Sequence, residues 1–185
     1  MKRFLFFLLL VLAAFAAWGI LSYNKLVLAE SGIAESWSRV EAFSRRQNEL
    51  LPDLAATARR LMPEDSTLID QLVAARRQAE QVALHDFSQA SIDRVQAAQD
   101  KVEKAVDALV FALEELPQTA EDLHATKLLD QIGRLGIQIL NARMDFNRST
   151  QAFNALALTF PANLVAKFLH FGEKGRFSSA ELTAF

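Results

Sequence analysis

The chain has 185 residues with 20 Lys and Arg against 22 Asp and Glu, a net charge of −2. It therefore has no bulk basic field to hold phosphates, and no nucleic acid is expected as a partner. Cysteine is absent, which excludes disulfides, thiolate catalysis, zinc–thiolate sites, Fe–S clusters and a lipid-modified N-terminal cysteine. Six glycines and four prolines are too few for a turn-rich all-β fold, so composition alone favours helices.

The run Phe4–Leu21 carries no charged or strongly polar group. As a helix rising about 1.5 Å per residue it spans roughly 27 Å, close to a hydrocarbon core of about 30 Å. Trp18 and Tyr23 stand at its outer end, where aromatic rings favour the interface, and Lys2 and Arg3 at its inner end. These four residues are the expected membrane-interface positions. The positive-inside bias places the N-terminus in the cytoplasm and the body outside. A cleaved signal peptide is the rival reading, with Ala14-Phe15-Ala16 as its cleavage site. Cutting there leaves an apolar new terminus, Ala17-Trp18-Gly19-Ile20-Leu21. Both readings export the body.

Beyond the anchor, Tyr23, Leu26, Ile33, Trp37, Val40, Leu51, Leu54, Ala58 and Leu61 share one helical stripe, interrupted by Glu30, Ser44 and Gln47. Pro52 is expected to bend this helix or break it near Leu50-Leu51. A second helix is predicted over Ser66–Leu84, with Leu68, Leu72, Ala75, Ala79 and Val82 on one face and Asp65 as its cap. A third covers Gln89–Leu116, capped by Ser88 or Ser91, with Gln99 on its apolar stripe. The short joint between them makes these two antiparallel neighbours. The fourth and most regular run is Thr119–Phe160, whose stripe steps through Leu128, Ile132, Leu135, Ile139, Ala142, Phe146, Ser149, Phe153, Leu156 and Phe160. Thr119 to Asp122 reads as its capping box. At roughly 63 Å it needs a long partner, and only the first helix qualifies. Gly133 and Gly136 suggest close backbone packing. In the tail, Asn163 is the candidate cap of a short helix before a turn at Gly172-Glu173-Lys174-Gly175. This apolar segment is expected to fold back on the bundle, meet a partner or touch the membrane.

No catalytic constellation emerges. His85, His124 and His170 are too scattered to pair as metal ligands, and Glu121-His124 is a single Glu-x-x-His pair where di-iron bundles need two. Metalloprotease, nucleophile-elbow, P-loop and dinucleotide motifs are missing. No cofactor or metal is expected. The pairs Arg45-Arg46, Arg59-Arg60 and Arg76-Arg77 read as solvated faces paired with acids four residues away, and Trp37 reads as core.

Two blocks of short motifs carry a resemblance. The first is Tyr23-Asn24-x-Leu26-Val27, then Trp37-Ser38, then Arg45-Arg46 before Leu51-Pro52-Asp53-Leu54. The second is Asn141-Ala142-Arg143-x-x-Phe146-Asn147, then Phe153-Asn154, then Phe160-Pro161-Ala162-Asn163. Together they resemble the LemA family. The chain departs from the family's usual pattern at Asp53, where an asparagine is common, and at Arg60-Leu61-Met62-Pro63, where Gly-Tyr is typical. The resemblance implies a membrane-anchored antiparallel helical bundle and implies no catalytic residues.

The expected architecture is all-α: an anchor over residues 1–21, a long antiparallel four-helix bundle over 22–160 that continues the anchor helix, and a short helical tail over 161–185. The expected function is that of a non-enzymatic scaffold or protein-interaction module of the bacterial cell envelope. Its partners are the lipid bilayer and other envelope proteins or further copies of itself. The alternatives are a ligand-sensing bundle working through a membrane partner, since the three residues before Phe4 leave no room for an output domain, and an exported soluble bundle.

Overall fold

The structure, a computed structural model, describes residues 2–63 and 66–178, with the side chains of Lys2 and Leu5 outside the description. Among the described residues six helices follow in order: α1 (Lys2–Leu61), α2 (Thr67–Glu80), α3 (Gln89–Glu114), α4 (Pro117–Glu121), α5 (Leu123–Leu158) and α6 (Ala162–Phe168). No strand occurs among the described residues.

The apolar N-terminal run and the first body helix are one element. α1 is continuous over 60 residues, so of the bend or break expected at Pro52, the break near Leu50-Leu51 does not occur. Pro52 faces solvent, while Leu51, Leu54, Ala55 and Ala58 on the opposite side are buried in one core. Their burial outweighs the single hydrogen bond that the proline ring removes. The body's inner face also starts one residue earlier than the stripe suggests: Ser22 and Leu26 are buried and Tyr23 is not.

α2 ends at Glu80, short of the expected Leu84, and Val82 is exposed beyond it. Asp65 lies outside the described residues; Ser66 stands at the cap position and makes no side-chain cap bond. Ser88 does cap α3, its Oγ accepting from the Ser91 N–H at 3.3 Å. Asp86 organises the preceding turn, with the Ser88 N–H donating to its Oδ1 at 2.9 Å.

The fourth run is divided. Pro117, preset for a first helical turn, opens the short helix α4, and Asp122 then caps α5, accepting from the N–H groups of His124 and Ala125 at 2.9 and 3.0 Å. Asp122 is thus the cap itself rather than the last member of a box begun at Thr119. α5 is correspondingly shorter, about 54 Å. Its buried face runs through Ile132, Leu135, Ile139, Ala142, Phe146 and Phe153 as expected, but passes through Thr150 instead of Ser149. Phe160 lies past the helix end and is exposed.

The most extensive packing in the molecule is between α1 and α5, and α2 packs chiefly on α3. Arg60 meets Asp122 at 2.5 Å at one end of the α1–α5 pair, and the rings of Trp18 and Phe160 lie 5.7 Å apart at the other. The two helices therefore run in opposite directions. Two apolar cores result. A distal one joins the last turns of α1 to α2, the second half of α3 and the first half of α5. A proximal one, nearer the N-terminal apolar run, gathers Leu26, Ile33, Val40, Ile92, Phe146 and Phe153 with residues of α6 and the tail.

The close packing expected at the α5 glycines is absent. A Cβ at Gly133 or Gly136 would meet nothing within 4 Å. Both therefore carry the entropic cost of helical glycine without a packing reason. Gly133→Ala is expected to stabilise the fold by about 0.5–1 kcal/mol, measurable by urea unfolding in detergent; a lower unfolding midpoint would contradict this.

Candidate functional site

Three of the polar residues that interrupt the apolar stripes, Ser44, Gln47 and Gln99, line one cavity. Ser44 and Gln47 on α1, Gln99 on α3 and Arg143 on α5 line one cavity of about 80 Å3 together with Asn48, Glu103 and Gly136. Arg143 is the centre of this layer, with a side chain only 6% exposed. Its Nη2 donates to Gln99 Oε1 at 3.0 Å and its Nη1 to Glu103 Oε2 at 3.4 Å, with Asp100 Oδ1 at 3.9 Å. Gln99 in turn donates to Ser44 Oγ at 3.4 Å. The chain Ser44–Gln99–Arg143–Glu103 thus ties α1, α3 and α5 together. The Arg143 Nε is buried without a hydrogen-bond partner and adjoins a cavity with room for a few waters.

Next to this layer the tail crosses the bundle as an extended strap, and its main chain is held by side-chain amides. Asn154 pairs with both the N–H and C=O of Lys174 at 2.9 and 2.8 Å. Gln89 does the same for Arg176 at 3.0 and 2.9 Å, and Asn147 for Phe177 at 2.8 and 3.0 Å. Gln96 accepts from the Ser178 N–H at 2.8 Å, and the Gly175 N–H donates to the Phe87 carbonyl at 2.7 Å. A Cβ on Gly175 would lie 2.6 Å from the Gln89 Cα, which only a bare glycine avoids. Phe177 is buried, stacked on Trp37 with centroids 6.2 Å apart and beneath the Arg143 guanidinium at 5.4 Å. Lys174 pairs with Glu30 and lies 5.2 Å from the Phe153 ring. This accounts for the one acid on the α1 stripe. Residues 174–178 of the tail thus lie against α1, α3 and α5.

The sequence-derived positions divide by surroundings. Leu26 and Leu54 are fully buried, and Trp37 sits among Phe87, Phe146 and Phe177. Arg143, Asn147 and Asn154 form the polar layer and the strap clamp. Asn24, Arg46 and Asn141 face solvent, as does Arg45, paired with Glu41 at 3.5 Å. Tyr23, Val27 and Phe160 are exposed, and Pro161 rather than Asn163 stands at the cap position of α6. Asn163 lies within that helix, its Oδ1 buried and unbonded. Arg3 is exposed and Trp18 half-buried; the Lys2 side chain is outside the described residues. Gln89, Gln96, Asp100, Glu103 and Phe177 were not singled out by sequence. The spacing of Asn147 and Asn154, two turns apart on one face of α5, is the signal that points to a clamp.

Of the basic pairs, Arg45 and Arg76 do meet acids four residues away, whereas Arg60 reaches across to Asp122. Glu121 and His124 fall on separate helices, both exposed. Among the described residues no group of three or more His, Cys, Asp or Glu is placed to hold a metal.

The carboxyls of Asp86 and Asp122 sit below their ordinary range. The side-chain hydrogen bonds of Ser88 and Ser91 lower Asp86 to about 2. The Ala125 N–H, followed by Arg60, lowers Asp122. A carboxylate depressed by folding stabilises the native state above its unfolded value of about 3.9 and loses that contribution as pH falls through the folded value. Unfolding midpoints are expected to drop between about pH 4 and about pH 2. Asp122→Asn keeps a capping oxygen but removes the charge, so the variant should show a flatter acid limb. An unchanged limb would sink the assignment.

These features define an all-helical protein with a long apolar N-terminal helix, a buried polar layer and a clamped C-terminal strap. The LemA family model matches residues 36–184, most of the chain, and the chain belongs to the LemA family. The match takes in the polar layer and the strap and begins after Tyr23–Val27. No curated protein matches the sequence.

Proposed function

We propose that this LemA-family chain is a membrane-anchored module of the bacterial cell envelope that binds other envelope proteins or further copies of itself and catalyses no reaction. Its body is an antiparallel four-helix bundle of α1, α2, α3 and α5, held outside the membrane with the N-terminus in the cytoplasm. The single observation that carries this reading is the run of exposed apolar side chains at the start of α1, including Phe4, Phe6, Phe7 and Phe15, on a helix long and apolar enough to cross a bilayer. In water such a surface is unfavourable; in hydrocarbon it is at home. The polar groups of the interior support a structural role, since they bind one another and the strap. A second reading, a bundle that senses a small ligand and works through a membrane partner, draws on the cavity beside Arg143. Its size suits water better than a metabolite, which favours the first reading.

Photo-crosslinking from exposed bundle positions in native membranes should recover defined adducts with an envelope protein or with a second copy. Recovery of none would count decisively against an interaction module. A reporter fused after Phe185 tests orientation, and activity from a cytoplasmic reporter alone would invert it. Intact mass of the membrane fraction tests cleavage: a mature chain beginning at Ala17 would overturn the anchor.

A further inference from the structure

We infer that α6 and the turn before it form a second membrane-contacting element, lying in the headgroup–acyl boundary of the leaflet from which α1 emerges. The inference rests on the proposed anchor. Leu158, Phe160, Leu164, Phe168 and Leu169 are between 45% and 81% exposed and fall within twelve residues of chain. Elsewhere in the described body, beyond α1, large exposed apolar side chains are scattered singly, at Val82, Phe111, Leu123 and Ile137. Scattered ones need no explanation, but a cluster does.

The cluster's position selects its occupant. Gly19, Ile20 and Tyr23 of α1 share an apolar groove with Leu164, Phe168 and Leu169, and the Trp18 ring touches that of Phe160. The patch is therefore continuous with the aromatic outer end of the apolar run, the level where headgroups meet acyl chains. Ala162 and Ala166 are buried in the proximal core, so α6 is fixed with its apolar face outward and cannot rotate to hide it. Exposed Lys167 has a stem long enough to reach headgroup phosphates from that depth. A short helix with one face seated in the interface is a recognised mode of membrane contact. Here α6 and α1 give the bundle two points of contact with the lipid.

The chain has no cysteine, so single-site labelling needs no background changes. Phe168→Cys, Leu164→Cys, Leu12→Cys and Phe111→Cys in the full chain are each labelled with a polarity-sensitive fluorophore and reconstituted in phosphatidylcholine vesicles. Quenching by lipids spin-labelled near the headgroup is compared with quenching near the chain end. Positions 164 and 168 should show blue-shifted emission and lose more intensity to the shallow quencher. Position 12 should lose more to the deep one, and position 111 should respond to neither. Quenching at 12 without quenching at 164 and 168 overturns the interfacial helix and leaves the anchor standing. Absence of quenching at 12 overturns the anchor itself. A blue shift at 168 without lipid quenching means that protein or a second copy covers the patch, and also overturns the inference.

Discussion

Arg143→Ala is expected to lower the unfolding free energy of the full chain by about 3 kcal/mol, the lower end of the range for removing one partner of a buried ion pair. The guanidinium is nearly inaccessible and faces the carboxylates of both Asp100 and Glu103. Glu103, 42% exposed, can turn to water when the arginine is lost, but Asp100 at 15% cannot do so fully. That asymmetry keeps the loss from reaching the top of the range. The same substitution takes the cation from above Phe177 and frees Gln99 from its acceptor role. Arg143→Met retains the length of the stem and should recover part of the loss, because volume-conserving changes are better tolerated than cavities. Arg143→Lys should not restore the wild-type value, since one ammonium cannot address Gln99 and Glu103 with a planar fork. Urea unfolding in detergent measures all three. An alanine variant within about 0.5 kcal/mol of wild type, the range of an ordinary surface change, would show that the layer contributes no stability.

Phe146→Ala is expected to cost more, about 3–5 kcal/mol. Phe146 is fully buried and its ring lies 5.5 to 5.9 Å from those of Trp37, Phe87 and Phe177. Its ring joins α1, the turn before α3 and the strap at once. Its removal leaves a cavity on which three separate segments border, so collapse from any one side cannot close it. The loss should be accompanied by a weakened near-ultraviolet dichroism from Trp37 and by faster hydrogen exchange at residues 174–178. Phe177→Ala provides the contrast: it should speed exchange in the strap with a smaller change in global unfolding, because the helices retain Phe146. If Phe146→Ala left strap exchange unchanged, the shared cluster would not be what seats the strap.

The helices were legible because their signals are local. The 3-4 spacing of α5 and the serine before α3 depend on neighbours a few residues away. What failed was where two local signals competed. Pro52 was expected to bend or break the helix because its lost hydrogen bond is a property of the residue, whereas the burial of Leu51 and Leu54 that keeps the helix continuous is a property of the packed fold. Thr119 and Asp122 both qualify as caps, and Pro117 decided between them by starting a helix of its own. The site was legible only in its parts. Ser44, Gln47, Gln99 and Glu30 were visible as gaps in apolar stripes, but nothing in the sequence says that three of them line one cavity with Arg143 and that the fourth meets Lys174. The strap was harder still. Asn147, Asn154 and Gln89 recognise main chain, and a main-chain partner leaves no trace in residue identity, apart from the need for glycine at position 175. Glycine itself misled at Gly133 and Gly136, where open space and not a close neighbour surrounds the backbone.

The uninterrupted course of α1 makes the molecule a lever. From Ser22 to Leu61 the helix extends about 60 Å beyond the apolar run. With that run seated in a bilayer, a tilt of about 20°, ordinary for a membrane helix, carries the far end sideways by roughly 20 Å. In the proposed membrane-anchored state, a change of bilayer thickness that alters tilt by only a few degrees would be magnified at the tip near Met62, where Arg60 grips Asp122.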